Sequence, residues 1–358
     1  MTAIRTQPSE MPGQTTESSS KRRRMLRIAL TAGLPIAVLL LSFTVGRYSV
    51  SLSQMVEIIR SGLPGGQPDP GLDSVSTILF HVRIPRIAAA LLVGGALAAA
   101  GASYQGLFRN PMVSPDILGA SAGAGFGAAL SMLLSLGPAG IQAVSFLLGI
   151  GAVALTYTIG SLVSRRGGAV LSLVLTGIVI STVFSSFTSI IKLAADPDNK
   201  LPAITFWLMG GLSLVGLDDL KILAPLVLIG LIPLLLLRWK LNVLSFGEEE
   251  AQSLGVNTGR IRIVTIICST LLTAASVSVS GMIGWVGLII PHLSRMVVGP
   301  NYKVLLPVSA LYGACYLLLV DDIARSALTM EIPLGILTSL IGAPFFVVLL
   351  LTGKRGWD

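Results

Sequence analysis

The chain is 358 residues long, 53% hydrophobic and only 12% charged, with a mean hydropathy of +0.83. So little polar side-chain material cannot coat a soluble globule, which leaves a polytopic membrane protein built of α-helices. The net charge of +8 would suggest nucleic acid for a soluble protein, but here the basic residues stand between apolar runs and act as topology signals, so no nucleic-acid partner is expected.

Residues 1–20 are rich in Ser, Thr, Pro and Gln and carry no apolar face, so 1–25 is expected to be a disordered cytoplasmic tail. Lys21, Arg22, Arg23, Arg24 and Arg27 then lead into an apolar run that ends near Val45. No small-residue cleavage pattern follows, so the run reads as a retained first helix with the N-terminus inside. Apolar runs long enough for a helix to cross a ~30 Å hydrocarbon core recur to the end of the chain. They place about ten spans, at 26–45, 86–106, 116–136, 141–163, 169–192, 222–241, 261–280, 282–298, 304–320 and 333–352. Within 261–298, Gly281, Gly284 and Gly287 leave the turn poorly marked.

An even count sets both termini inside. The internal segments then hold Arg109, Arg165, Arg166, Arg238, Lys240, Arg260, Arg262, Lys303, Lys354 and Arg355, in accord with the positive-inside rule. The spanning domain is 26–353, and 354–358 is a cytoplasmic C-terminus. The largest external pieces are 46–82, rich in Pro and Gly, and 194–220, whose FWLMGG reads as a short re-entrant or surface helix. Small residues at fourfold spacing, Gly94, Ala98 and Ala102, and again Gly119, Gly123 and Gly127, predict close helix packing in lipid.

The strongest polar interruption after the N-terminus is FGEEEAQSLGVNTGRIR, 246–262. Glu248, Glu249 and Glu250 suit the positive end of a helix dipole, Ala251, Leu254 and Val256 can share one side, and Gly255 offers a stop. The segment is either a small cytoplasmic helix offered to a partner or a solvated loop that only joins two spans. Every Asp and Glu, including Asp116, Asp321, Asp322 and Glu331, falls in an expected loop or at a span end. No carboxylate is therefore expected at the membrane midplane, where ion-coupled carriers need one. There is also no GxxxxGK[ST] phosphate loop, so the chain does not hydrolyse ATP itself. A partner ATPase at 248–255 would meet both absences.

His81 and His292, the only histidines, lie far apart without a second ligand at helical spacing, and the ten Met are scattered. No metal or cofactor site is expected, and a transported metal should arrive wrapped in a chelator. The two cysteines, Cys268 and Cys315, lie in apolar runs and read as packing residues. Arg83 and Arg86 flank Pro85 at the outer start of the second span, and Arg325 follows the ninth, beside Asp321 and Asp322. They read either as headgroup anchors, with an i, i+4 pair of little energy between Asp321 and Arg325, or as receptors for acidic residues of a soluble binding protein.

The motifs RIPR at 83–86, GxxYQGLFRNPMVSPDILGASAGAGFGA at 101–128, GEEEAQSLGV at 247–256, GMIGWVGLIIPHLSR at 281–295 and EIPLGILTSLIGAPFF at 331–346 together resemble the FecCD family of ABC-transporter permeases. The likeness covers nearly all of the chain after residue 26. It implies a type II ABC importer permease architecture: ten helices, a second permease subunit across a central pathway, two ATPases on the cytoplasmic face and an extracytoplasmic binding protein, all in a bacterial inner membrane. The family's ATPase-coupling loop falls at about 246–260, on Glu248, Glu249, Glu250, Ala251, Leu254 and Gly255. Its binding-protein contacts fall on Arg83, Arg86 and Arg325. A gate is implied near 202–211, beside pathway helices five and ten. The resemblance favours ferric siderophores as cargo, with cobalamin or haem as alternatives. An ion-coupled secondary transporter is opposed by the missing midplane carboxylate, and a membrane enzyme by the lack of a nucleophile, base and acid set.

Overall fold

A computed structural model describes residues 33–46, scattered positions between 51 and 60, 73–164 and 169–352. The expected tail, the basic cluster at 21–27, Arg165, Arg166 and the C-terminal basic pair lie outside the described residues. Described secondary structure is all helical, as lipid requires when water cannot satisfy backbone amides. In chain order the helices are α1 (Leu34–Thr44), α2 (Ile84–Phe108), α3 (Ala120–Leu133), α4 (Pro138–Ser164), α5 (Ala169–Ala194), α6 (Lys200–Leu208), α7 (Leu217–Leu244), α8 (Glu248–Ser253), α9 (Thr258–Ser280), α10 (Val286–Val298), α11 (Tyr302–Ser326) and α12 (Leu334–Thr352). Six are long and apolar enough to cross a membrane, and four more, α1, α3, α10 and α12, are shorter apolar helices.

The helices sort into an inner and an outer set. The most apolar stretches of α2, α9 and α11 are 78%, 72% and 61% buried, against 28%, 22% and 22% for α4, α5 and α7. The inner helices therefore make the core, and the outer ones turn most of their leucines and isoleucines away from it. α2 packs most extensively on α11, antiparallel to it, and also on α9, α7 and α10. Missing side chains make this approach possible. A Cβ on Gly94 would overlap the Gly313 carbonyl, one on Gly313 would overlap Gly94, and one on Gly101 would overlap Gly287 of α10. Ala98 and Ala102 are fully buried along the same stripe. In α3, Gly123 and Gly127 meet the backbone of α4 at Leu148 and Val144. Gly119 is not part of that stripe: at φ +90° it caps the helix in a left-handed conformation where a side chain would be strained.

Three boundaries differ from expectation. Residues 46–82 are not external loop throughout, because a short helix at Asp73–Thr77 and wider π-helical turns at Ile78–Arg83 run straight into α2. Pro85 explains the wide turns: it has no N–H to give and its ring crowds the preceding turn, so the ladder loosens there without breaking. The ninth expected span ends at 320, yet α11 continues to Ser326 and carries Asp321, Asp322 and Arg325 inside the helix. The unmarked turn within 261–298 falls at Gly281–Trp285, with Trp285 held at φ 70° and its ring edge-on to Phe346 of α12.

Gly94→Val is expected to destabilise the detergent-solubilised protein by overpacking, at a cost of about 1–3 kcal/mol or more, read as a marked drop in its thermal unfolding temperature. Gly151→Ala, where a Cβ would meet nothing within 4 Å, is the control and is expected to leave it unchanged.

Candidate functional site

One end of the bundle is closed by a buried ion network. Arg86 clasps Asp321 across α2 and α11, with Nε 3.0 Å from both carboxylate oxygens and Nη2 2.9 Å from Oδ1, and its Nη1 lies 2.9 Å from Glu331. Arg325 pairs with Asp322, stands 3.8 Å from Asp321, and donates to the Ser42 carbonyl of α1 at 2.6 Å. The Ser42 hydroxyl donates to Asp322 at 2.7 Å and accepts from Arg325 at 2.7 Å. Arg83 donates to the Phe43 carbonyl. The three arginines expected at an open outer face are in fact 4%, 7% and 5% exposed at positions 83, 86 and 325. The i, i+4 contact between Asp321 and Arg325 exists, but it is the weaker part of a network that bolts α1, α2, α11 and the segment before α12 together. Glu331, 28% exposed, is its outermost carboxylate.

At the opposite end, the stretch 246–262 does form a helix. Gly247 at φ +139° starts it, and Gly255 at φ +77° ends it. Asn257, expected in a turn, caps α9 by accepting from the Arg260 amide at 3.0 Å. Ala251 and Val256 are buried, but Leu254, placed on their side by the pattern, is 66% exposed. The helix is too short to bring position 254 onto the inner face, and Gly255 turns the chain first. Glu248 pairs with Arg262 of α9, and Glu249 and Glu250 are exposed. Phe246, 72% exposed, stands just ahead of α8, so acids and two large apolar side chains share one outward surface. Phe246 heads the stretch 246–262 in the sequence, but nothing local distinguishes an outward phenylalanine from one packed into the bundle.

Behind this surface, Ala251 and Val256 share a buried cluster with Tyr104, Phe108, Tyr302 and Leu305. Arg295 of α10 reaches both Gln105 and Tyr302 at 3.4 Å. α8 packs on α7 and α9, and this shared cluster joins it to the ends of α2 and α11 whose other ends carry Arg86 and Asp321. α11 alone spans roughly 37 Å at 1.5 Å per residue.

A third polar zone lies along α5. Cavities of about 460 and 400 Å³ follow one another beside it, and a third of about 440 Å³ continues from the second past Met209 and Met282 towards α12. The first contains Asp116, Ser181, Thr182 and Ser185, the second Ser185, Ser189 and Lys192, and the third Met209, Met282 and Ser339 of α12. α6 covers much of the implied gate, and its following residues are tied down: the Met209 and Gly210 carbonyls accept from Gly335 and Leu334 at 3.0 and 2.9 Å, and the Gly211 amide donates to Ser280 at 2.8 Å. Two carboxylates that the sequence assigns to span ends lie within helical structure: Asp321 in the last turns of α11, and Asp116 in the short 3₁₀ turn Pro115–Leu118 that dips between α4 and α5. Sequence places both at span ends because each adjoins Pro or polar residues, and the partners packed around them are far along the chain. The α5 stripe had a signal, hydroxyls and a lysine at 182, 185, 189 and 192, at the spacing of one helical face.

Lipid-facing apolar helices around a small-residue core, with a hydroxyl-lined wall and polar machinery at both ends, define a multi-pass membrane permease. Residues 34–352 match the FecCD transport family, and the chain belongs to that family. It is 43% identical to the molybdate import system permease protein MolB of Haemophilus influenzae, over 90% of this chain and 94% of that one. It is 39% identical to a probable iron chelatin transport system permease protein of Helicobacter pylori, over 88% of this chain and 94% of that one. Further relatives carry names for cobalamin, hemin and Fe(3+)-citrate transport. Among solved structures, a chain described as a metal-chelate type ABC transporter in an inward-facing conformation superposes with a TM-score of 0.80, at 41% identity over 92% of this chain and 99% of that one. The protein is a permease of an ABC importer.

The ion network yields a direct test of its own energetics. Removing one partner of a buried pair strands the other, so Arg86→Met or Asp321→Leu alone is expected to cost about 3–5 kcal/mol. The double substitution is expected to recover most of that loss in a thermal-unfolding double-mutant cycle.

Proposed function

We propose that this chain, with a second permease subunit, two cytoplasmic ATPases and an extracytoplasmic binding protein, imports a ferric chelate, with siderophores as the leading cargo, by alternating access. In this reading the ten apolar helices, α1 to α5, α7 and α9 to α12, are the spans, both termini are cytoplasmic, and the membrane is the bacterial cell (inner or plasma) membrane. The observation that carries it is the mechanical continuity from α8, through the cluster around Tyr104 and Tyr302, along α2 and α11 to the Arg86–Asp321 clasp. A push on α8 by an ATPase is transmitted as a rigid-body shift of packed helices, since tightly packed elements do not deform continuously. Glu248, Glu249, Glu250, Leu254 and Phe246 present the contact, while Ala251 and Gly255 fix the helix beneath it. The polar α5 face cannot remain against lipid tails, which supports a second permease as its cover.

At the other end, Arg83, Arg86 and Arg325 receive acidic residues of the binding protein. Their burial makes this an exchange, in which an incoming carboxylate replaces Glu331 on Arg86 while Asp321 keeps its bidentate hold. The cargo assignment leans on the relatives named for iron chelatin and metal chelates. The MolB likeness favours molybdate as the second reading, and haem and cobalamin remain alternatives of the same mechanism.

Glu249→Ala, Glu250→Ala and Leu254→Ala combined are expected to reduce ATPase co-purification several-fold with the permease still folded, and undiminished co-purification would refute the coupling contact. Glu331→Gln is expected to tighten binding-protein docking several-fold and Arg325→Glu to abolish it; identical docking in both would return the arginines to a purely structural role. Cargo is decided by comparing uptake of labelled ferric siderophores, haem, cobalamin and molybdate in cells with and without the gene. Loss of molybdate uptake alone would overturn the chelate assignment.

A further inference from the structure

Asp116 is an ionisable side chain placed where charge is costly. The Leu118 carbonyl next to it accepts from Thr156 of α4 at 3.0 Å, and Ile117 presses its carbonyl onto Gly177 of α5. Thr156 and Gly177 each lie eight residues from a helix end, which sets the turn roughly 12 Å into the bundle at 1.5 Å per residue. The carboxylate accepts a hydrogen bond from Ser121, and among the described residues no lysine or arginine forms an ion pair with it. It faces the cavity of about 460 Å³ that Ser114, Ser181, Thr182 and Ser185 also line. Such a group persists in a membrane where it meets water and passing ligand.

The rest of the wall has a direction. Ser185 and Ala122 belong to both this cavity and the next, where Ser189 and Lys192 follow on the same α5 face. Lys192 lies ten residues beyond Thr182, about 15 Å along the helix. One end of the wall is therefore basic and the other acidic, with hydroxyls between.

We propose that Asp116 is a specificity-determining residue of the pathway, which makes its inner stretch electronegative, admitting cargo that carries peripheral N–H or O–H donors or positive charge and opposing bare oxyanions. The proposal rests on the reading that cargo crosses along α5. A chelate with amide or hydroxyl groups on its rim satisfies the carboxylate and the hydroxyls of Thr182 and Ser185 by hydrogen bonding. A tetrahedral dianion has only acceptors to offer, and beside Asp116 it adds like charge in a medium that screens poorly.

The test uses the assembled transporter in vesicles, with Cys268→Ala and Cys315→Ala to remove the native thiols and Thr182→Cys as reporter. The probes are a cationic trimethylammonioethyl and an anionic sulfonatoethyl methanethiosulfonate, their rates normalised to a free thiol. The cationic reagent is expected to react about tenfold faster, and Asp116→Asn, or Asp116→Ser should the first assemble poorly, is expected to bring the ratio near one. Equal rates in the parent, a preference that survives loss of the carboxylate, or no reaction with either reagent would each overturn the proposal. Because these probes need no cargo, failure of wild-type transporter to import any ferric chelate would sink the proposed cargo without touching this result. In transporter that does import a ferric hydroxamate, Asp116→Asn is expected to cut uptake several-fold with ATPase stimulation by loaded binding protein intact, and unchanged uptake would count against the specificity role.

Discussion

The bundle depends on how closely α2 can lie against α11 and α10. Between helices in lipid there is no hydrophobic driving force, because the tails are as apolar as leucine, so association rests on van der Waals contact and buried polar bonds. Gly94 against Gly313 and Gly101 against Gly287 bring backbones into direct contact. Ala89, Ala90, Ala96, Ala98, Ala99, Ala100 and Ala102 then fill the remaining seams without bulk. A larger residue at any of the paired glycines would separate the inner helices along much of their length.

That contact also explains why polar machinery at two distant ends can belong to one mechanism. At one end the pair is clasped by Arg86 on Asp321, and at the other it is wedged by Tyr302, whose ring lies against Gly106. A unit held at both ends and close-packed between them moves as a body. The outer helices α4, α5 and α7 are not held in this way, since most of their surface faces outward within the single chain. α5 carries the hydroxyl wall on that freer surface, apart from the close-packed core.

Much of this was legible in the sequence, for physical reasons that also mark where it stopped. Apolar runs identify helices because lipid admits little else, and Glu248–Glu250 before Gly255 predicted α8 through dipole and capping rules. The stripe Gly94, Ala98, Ala102 predicted close packing, and the partner glycines on α11 and α10 are what sequence left unpaired. Periodicity failed where a polar residue has a buried partner far along the chain. Arg86 and Asp321 are 235 positions apart, and nothing local distinguishes a salt-bridged buried arginine from a headgroup anchor. It failed again at Leu254, because α8 has too few residues for a helical face to be defined, and at Asp116, which reads as the first residue of the span 116–136 but lies in a separate 3₁₀ turn ahead of α3.

The two kinds of buried charge in the protein call for different explanations. Around Arg86 and Arg325, each guanidinium group is paired with a carboxylate, and among the described residues only the buried atoms Asp322 Oδ2 and Arg325 Nε there lack a hydrogen bond. Such a network offers rigidity and a fixed geometry more than net stability. Asp116 has a hydroxyl partner in place of a cation, so its desolvation is not offset inside the fold. Its bond from the Ser121 hydroxyl needs an acceptor there, which an asparagine would also supply, and not a charge. Its charge is then explained by the hydroxyl-lined cavity it borders, which is the ground for the specificity role proposed above.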